Sequence, residues 1–552
     1  MAATALETLV QRFLRTHSEF RPVDATFMGL DGHDHRLPPA DADAPERERE
    51  AWLSLEREAA RLPLEGDDVA AQLELRMLRA QISVHLRELE ERPRFKNPAW
   101  YTGEAAFGLI SLLLPSDPPR GADDLRGRLE GIPAFFSVGA KWLAGTPMPA
   151  DWVKRARLEA VALVNLLRTG LPKHPLWSAR LEQAVRNAAR AMQDFAYGLD
   201  GPDSNSACGE AYLEFLMREA HGLPFSPREA EELALEGFET AQRDLHAMAV
   251  RLDAGRDWRT QLADLERDHP ATLKDVIPTY EHWQARTLEA AEAHGLVTPA
   301  SSYGLNFQML PAWAHGIAGA LYFLFYRSPA AGRPSTGSTY WVFPSGDDSA
   351  AYLRSQSIAT IKSTHVVHHG SIGHHTQNTR ARASAVRLGQ VAGTDCAAGI
   401  AMLGGGTTIE GWACYTQELM LEVDGFYSPL EELLQKHNEL RNTAMCLADI
   451  RLHRKVWNLA QMRDFYRDEI GIPEARVWAE TTRNSIYPST RLMYWLGTRQ
   501  IRLARGQSAL STQEFHDGLL RYGSIPMAWV VEAQTSSAVL SSRAQEEKWT
   551  PR

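Results

Sequence analysis

Cysteine is scarce. The chain has four in 552 residues, Cys208, Cys396, Cys414 and Cys446, far apart and with no Cys-x-x-Cys pair. That excludes a disulfide framework and fits reduced thiols in a cytosolic protein; none sits in a motif that marks a nucleophile. Basic charge is not in excess either. A net charge of −10 with no basic stripe argues against nucleic acid or an anionic membrane surface as a partner. Long hydrophobic runs are missing: the longest, "FGLISLLLP" and "GIAGALYFLFY", are too short to span a bilayer. The opening residues place Leu6, Leu9, Val10 and Phe13 on one helical face and carry an early acid, unlike a signal peptide. The expected location is the cytoplasm, with no membrane partner. There is no repeat of fixed period and no low-complexity tail.

What is present reads as an ordinary globular chain, with 44% hydrophobic residues, 23% charged and 15 tryptophans. Its length exceeds one minimal core, so two lobes are expected. Residues 1–270 carry long amphipathic patterns such as "DDVAAQLELRMLRAQISVHLRELEE" and "PREAEELALEGFETAQRDLHAMAVRL", punctuated by loop-forming Pro and Gly clusters at 114–124 and 198–208. Between 299 and 346 the helical period disappears, and Ser338 to Phe343 reads as a short strand. Helical texture returns near 349 and persists. The fold class is therefore mainly α: a large two-lobed helical fold with a small β insertion and a central cleft, divided into an amino-terminal helical lobe (1–270) and a carboxy-terminal lobe (271–552).

Acid is also lacking where it is most conspicuous. "THVVHHGSIGHHT", Thr364 to Thr376, holds five of the chain's 19 histidines, two glycines and no Asp or Glu. On an ideal helix, at about 100° per residue, His365 and His369 share a face and so do His368 and His375, but His368 and His374 do not. Gly370 and Gly373 lie between the last two, and two glycines in one turn permit a bulge that brings a six-residue spacing into register. Imidazole is the commonest protein ligand for zinc and similar ions, and catalytic sites usually add a carboxylate. The nearest strong acid on a helical pattern is Glu410, in "TTIEGWACYTQE". Two histidines and one downstream glutamate make the ligand set of the glutamate-zincin peptidases.

At these residues the chain resembles the bacterial helical proteins of domain of unknown function 885, relatives of the gluzincin zinc peptidases. Their core reads roughly H-E-x-x-P-G-H-x-x-Q, then E-G-W-A-x-Y, D-x-x-x-H and P-G-Q-A-x-x-Y-x-x-G. Here the corresponding stretches are "HHGSIGHHTQ" (His368 to Gln377), "EGWACY" (Glu410 to Tyr415), "DIRLH" (Asp449 to His453) and "PSTRLMYWLG" (Pro488 to Gly497), with weaker echoes along nearly the whole length. The resemblance implies a gluzincin-like architecture, a divalent metal with zinc foremost, and His368, His374 and Glu410 as its ligands. Asp449, His453, His375 and His365 are candidates to orient those ligands. Tyr415, Arg483 and Tyr494 are candidates to stabilise an oxyanion or hold a substrate carboxylate. Each has a plainer reading: Glu410 as an acid at a helix start, Asp449 and His453 as a surface pair, the others as packing or salt-bridge residues.

The chain departs from that pattern at His369, where the family has the H-E glutamate, and at Ile372, Gln417, Ser489 and Thr490. In a zinc peptidase the missing glutamate is the general base, and such assistance contributes roughly 10²–10⁴ in rate, about 3–5 kcal/mol. Peptide bonds need that help most. Three readings follow. One is a metal-dependent hydrolase of a small amide, ester or carbamate, with His369 moving the proton. Another is a non-hydrolytic metalloenzyme, a lyase or oxygen-using enzyme, with His369 or His365 as an extra ligand. The third is an inactive pseudopeptidase that binds and does not react. The expected partner is a small or short peptide-like substrate, and a homo-oligomer is compatible with the sequence. The "GSTYWVF" strand (337–343) is expected beside the cleft, offering backbone to an extended ligand; "GGGTT" (404–408) reads as a flexible connection and "LYFLFY" (321–326) as core.

Overall fold

The structure is a computed structural model that describes residues 2–63, 68–91, 93–202, 206–300, 303–318, 326–392 and 403–535. It is mainly α-helical with one small sheet. The amino-terminal helix, Ala2–Phe20, buries Leu9, Val10, Phe13 and Leu14, the stripe its periodicity predicts. Helix Pro98–Leu113, which contains one of the two longest apolar runs, is buried at every position. A helix apolar on all sides belongs inside a bundle, and none of the described helices is long and apolar enough to cross a membrane.

Two long helices show how local signals set long-range packing. Pro227–Leu252 and Pro429–His453 both start with Ser-Pro-x-Glu, and in each the Ser accepts from the Glu backbone N–H while the Glu side chain accepts from the Ser N–H. These capping boxes satisfy groups that the first turn leaves unpaired. The two helices then lie against each other and share an apolar cluster with Leu213, Trp258, Tyr466 and Trp495.

Position 270 does not divide the core. One apolar cluster joins Leu9, Phe13, Trp52 and Phe95 to Val367, Trp412, Tyr415 and Trp529; the cluster between the capped helices likewise joins residues from both sides. The change of texture near 299 marks the sheet insertion.

The sheet has the order β1 (Gly304–Met309), β3 (Gly337–Val342), β2 (Tyr326–Arg327). The structure bears on the reading of "GSTYWVF" as a strand that offers its backbone to an extended ligand. Its strand runs one residue earlier than expected and lies in the middle, parallel to β1 along its whole length and antiparallel to β2 at Thr339 and Tyr340. Ser338, Tyr340 and Val342 alternate onto the buried face. There Tyr340 and Val342 pack with Tyr280, Ile361 and Val366, so the sheet lies on the segment that leads into the histidines. The "GGGTT" segment is also not a loose connection: Leu403–Gly405 is a 3₁₀ turn, and helix Gly406–Leu419 starts immediately with Thr407 and Thr408 fully buried. Of "LYFLFY" only Tyr326 lies within the described residues, and it is buried.

Candidate metal centre

Two helical pieces and a glycine-bearing turn build the histidine site. Ile358–Thr360 begins a helix that continues as a wide, π-type winding over Ile361–His368, and a second helix, His374–Arg382, begins six residues after His368. The six-residue spacing is thus closed by a turn between two helices, not by a bulge inside one. Gly373 is obligatory there, because a Cβ at that position would overlap the carbonyl oxygens of His368 and Val367. Gln284 Oε1 accepts from Ser371 N at 3.0 Å and from its hydroxyl at 2.6 Å. Trp412 Nε1 donates to Ile372 O at 2.9 Å. The turn is therefore pinned from both sides, once by the helix that carries Glu410.

His368 Nε2 and His374 Nε2 each lie 3.6 Å from the same oxygen, Glu410 Oε2. Nitrogen or oxygen ligands about 2.1 Å from a tetrahedral ion stand about 3.4 Å apart, so these separations fit one cation between the three atoms. His369 is close by: one ligand nitrogen each from His368, His369 and His374 lie within 4.8 Å of one another. Nδ1 of His369 and of His374 are buried and have no hydrogen-bond partner among the described residues.

The electrostatics fit neutral imidazoles at His365, His368 and His369 facing an ionised acid. Burial pushes His369 well below the ordinary histidine range, helped by His368 and His374, and burial lowers His368 too. His365 is pushed down to about 4 by burial and then by His368. Burial alone would raise Glu410, but its contacts with His368 and His374 outweigh that and hold it well below the usual carboxylate range.

The other candidates fall in different places. Tyr494 lies near the centre. The helices Gly406–Leu419 and Leu492–Gln507 cross in backbone contact, since a Cβ on Gly411 would come 2.7 Å from Gly497 Cα and one on Gly497 2.9 Å from Gly411 Cα. This crossing brings the turn before Gly497, with Tyr494, against the turn of Glu410. Burial and then the Glu410 charge push the Tyr494 hydroxyl up, which keeps it a donor, and the Arg491 guanidinium lies 5.6 Å over its ring. Arg483, half-buried, lowers the same hydroxyl by its charge.

Tyr415 is turned away: its hydroxyl contacts His516 Nε2 at 3.0 Å and accepts from Arg505 at 2.8 Å. Asp449 accepts from the backbone N–H groups of Ser489, Arg491 and Leu492 and so caps the Tyr494 helix, while His453 bonds Cys208 N and Asn484 O. Among the described residues neither bonds to His368, His374 or Glu410; their work is to seat the helix that carries Tyr494. His375 donates to Tyr303 O at 2.8 Å and faces Tyr326, and His365 Nδ1 meets the Tyr340 hydroxyl at 2.5 Å. These two fix the sheet to the site. Sequence reasoning missed the anchoring roles of Gln284, Tyr326, Tyr340 and Arg491; the period-two alternation of Ser338, Tyr340 and Val342 was the one available signal for Tyr340.

Fold and site together define a helical protein with a two-histidine, one-carboxylate candidate metal centre roofed by a small sheet. The chain belongs to the family described as bacterial protein of unknown function (DUF885), whose model matches residues 22–533. A putative lipoprotein of unknown function from Shewanella oneidensis superposes with a TM-score of 0.76 at 16% identity, over 97% of this chain and 100% of that one. A putative lipoprotein from Colwellia psychrerythraea gives a TM-score of 0.74 at 17% identity, over 96% of this chain and 98% of the other. At such identities the likeness shows the fold. No curated protein matches the chain.

Proposed function

We propose that the protein is a divalent-metal-dependent hydrolase of a small amide, ester or carbamate, built on a gluzincin-like metallopeptidase scaffold. The observation that carries this reading is the convergence of His368 Nε2 and His374 Nε2 on one oxygen of Glu410, each at 3.6 Å. Those three residues would hold the ion, zinc foremost. When bound, such an ion supplies Lewis acidity toward a carbonyl and toward water.

The chain's own groups do the rest. His369, neutral because it is buried, is the proton acceptor, and its unpartnered Nδ1 is an atom free to take the proton. Tyr494, held protonated, donates to the carbonyl oxygen as charge develops there. Arg483, near enough to Tyr494 to lower its hydroxyl by charge, is the guanidinium offered to a substrate carboxylate. A histidine in place of a carboxylate base next to a dication is a weak acid–base pair for amine departure, so activated or small substrates are favoured over ordinary peptides. A cytoplasmic location and a small soluble substrate remain part of this proposal.

The test is turnover of a panel of small esters, amides and carbamates by zinc- and manganese-loaded protein. Activity that disappears in His369→Ala while metal occupancy is kept supports the reading; no turnover of any member by loaded protein contradicts it. A second reading is favoured by the clustering of His368, His369 and His374 nitrogens within 4.8 Å. In that arrangement His369 is a third nitrogen ligand, the set suits iron, manganese or copper, and the chemistry is non-hydrolytic. Loss of the metal in His369→Ala, together with a visible absorption band in the wild type, selects it.

A further inference from the structure

Among the described residues, Gln417 is the one side chain bonded to the far nitrogen of a candidate ligand histidine. Gln417 Oε1 lies 3.2 Å from His368 Nδ1. Its amide nitrogen lies 2.8 Å from Ser363 Oγ and 3.3 Å from Ser363 O. A backbone carbonyl only accepts, so the amide nitrogen must face Ser363 and the amide oxygen must face His368; the flipped amide would set its oxygen against the Ser363 carbonyl. His368 Nδ1 must then donate. Ser363 in turn donates to Gln435 Oε1 at 3.0 Å, and Gln435 donates to Glu431 O at 3.1 Å, one helical turn back. The chain of bonds runs in one direction and ends on a backbone acceptor. Gln417 and Ser363 are buried, and Gln435 is 3% exposed.

We propose that Gln417 is the positioning residue of the metal centre: through an uncharged relay, Gln417 to Ser363 to Gln435, it locks His368 in its Nδ1–H form and aims a permanent Nε2 lone pair at the point that Glu410 faces. This rests on the metal-centre reading above and deepens it. With His368 so locked, its Nε2 lone pair faces Glu410 Oε2, 3.6 Å away, across the space that a cation would fill. Among the described residues His374 has no such partner, its Nδ1 being unbonded, so the relay orients one ligand and leaves the other to packing. Because every relay member is neutral, it orients the imidazole without adding negative charge, and among the described residues Glu410 stays the one carboxylate in contact with the ligand nitrogens.

Two measurements test this separately. In the metal-free full chain, nitrogen-15 NMR of histidine-labelled protein, with His368 assigned by its loss in His368→Gln, should show the Nδ1–H tautomer in the wild type and a mixture in Gln417→Met. In zinc titrations, Gln417→Met, which keeps the shape and removes the acceptor, should weaken binding about 10–100-fold, while Gln417→Glu, which keeps the acceptor, should stay within about threefold of the wild type or bind more tightly. A role in packing alone predicts the reverse order, with Met tolerated and Glu disruptive, and that order overturns the proposal. Nε2–H at His368 in the wild type overturns it as well, whether or not zinc binds. Failure of the wild type to take zinc, with Nδ1–H still observed, removes the metal reading and leaves the relay standing.

Discussion

At the scale of single residues, the site depends on groups chosen for what they leave out. Any side chain at position 373 would run into the His368 carbonyl, so Gly373→Ala must open the turn that returns the chain to His374. The expected cost is at least about 1 kcal/mol of stability, seen as a lowered denaturant midpoint, together with a loss of zinc affinity larger than the stability change alone explains. Unchanged affinity would mean that His374 is not seated by this turn. The histidines were legible in the sequence because imidazoles in such density are rare, and Glu410 because the pattern E-G-W follows at a useful distance. Gln417 and Gln284 were not legible as anchors: an amide's role depends on what faces each end, and periodicity says nothing about that. Tyr415 illustrates the opposite failure. Three residues from Trp412 on one helix, it reads as part of the site, yet its hydroxyl is spent on His516 and Arg505.

At the scale of elements, backbone contact between two helices brings Tyr494 beside Glu410. Gly411 and Gly497 meet directly, and Thr498 Oγ1 donates to Gly411 O at 3.1 Å across the crossing. Adding a methyl group at Gly497 forces the helices apart, at a cost of about 1–3 kcal/mol. Because Gly411 and Gly497 touch, the double variant Gly411→Ala/Gly497→Ala should lose less than the sum of the single losses, which denaturant midpoints of the four proteins will show. Strict additivity would indicate that the helices do not touch there. The helices themselves were legible from apolar spacing and from Ser-Pro-x-Glu starts. The strands Gly304–Met309 and Tyr326–Arg327 and the wide winding of Ile361–His368 were not: an edge strand paired on one side carries a weak burial pattern, exposed or half-buried except at Phe307, and an extra residue per turn leaves the composition unchanged.

At the scale of the whole molecule, the interior holds charge as well as apolar surface. Glu104 lies in the fully buried helix Pro98–Leu113, and its Oε2 has no partner among the described residues. Burial, and after it the nearby Asp24, raise its carboxyl to about 8; burial raises Glu48 to about 7. A carboxyl raised on folding binds its proton more tightly in the native state. Its contribution is therefore intact below the unfolded value of 4.5 and is lost as pH climbs from there toward about 8. Stability should fall across that window, and Glu104→Gln should flatten the fall when unfolding midpoints are compared at about pH 5 and about pH 9. A slope unchanged by the substitution would assign the effect to other groups. Two apolar clusters join residues from either side of position 270. Sequence order does not show which helices pack together; only the contacts do.

The proposed chemistry requires His368, His374 and Glu410 to act on a single cation. The most direct measurement is metal stoichiometry by elemental analysis after zinc loading and dialysis, in the wild type and in Glu410→Gln and His374→Ala. One ion per chain in the wild type, and little or none in either folded variant, is the predicted result. A wild type that retains no zinc, or variants that retain as much as the wild type, would contradict it.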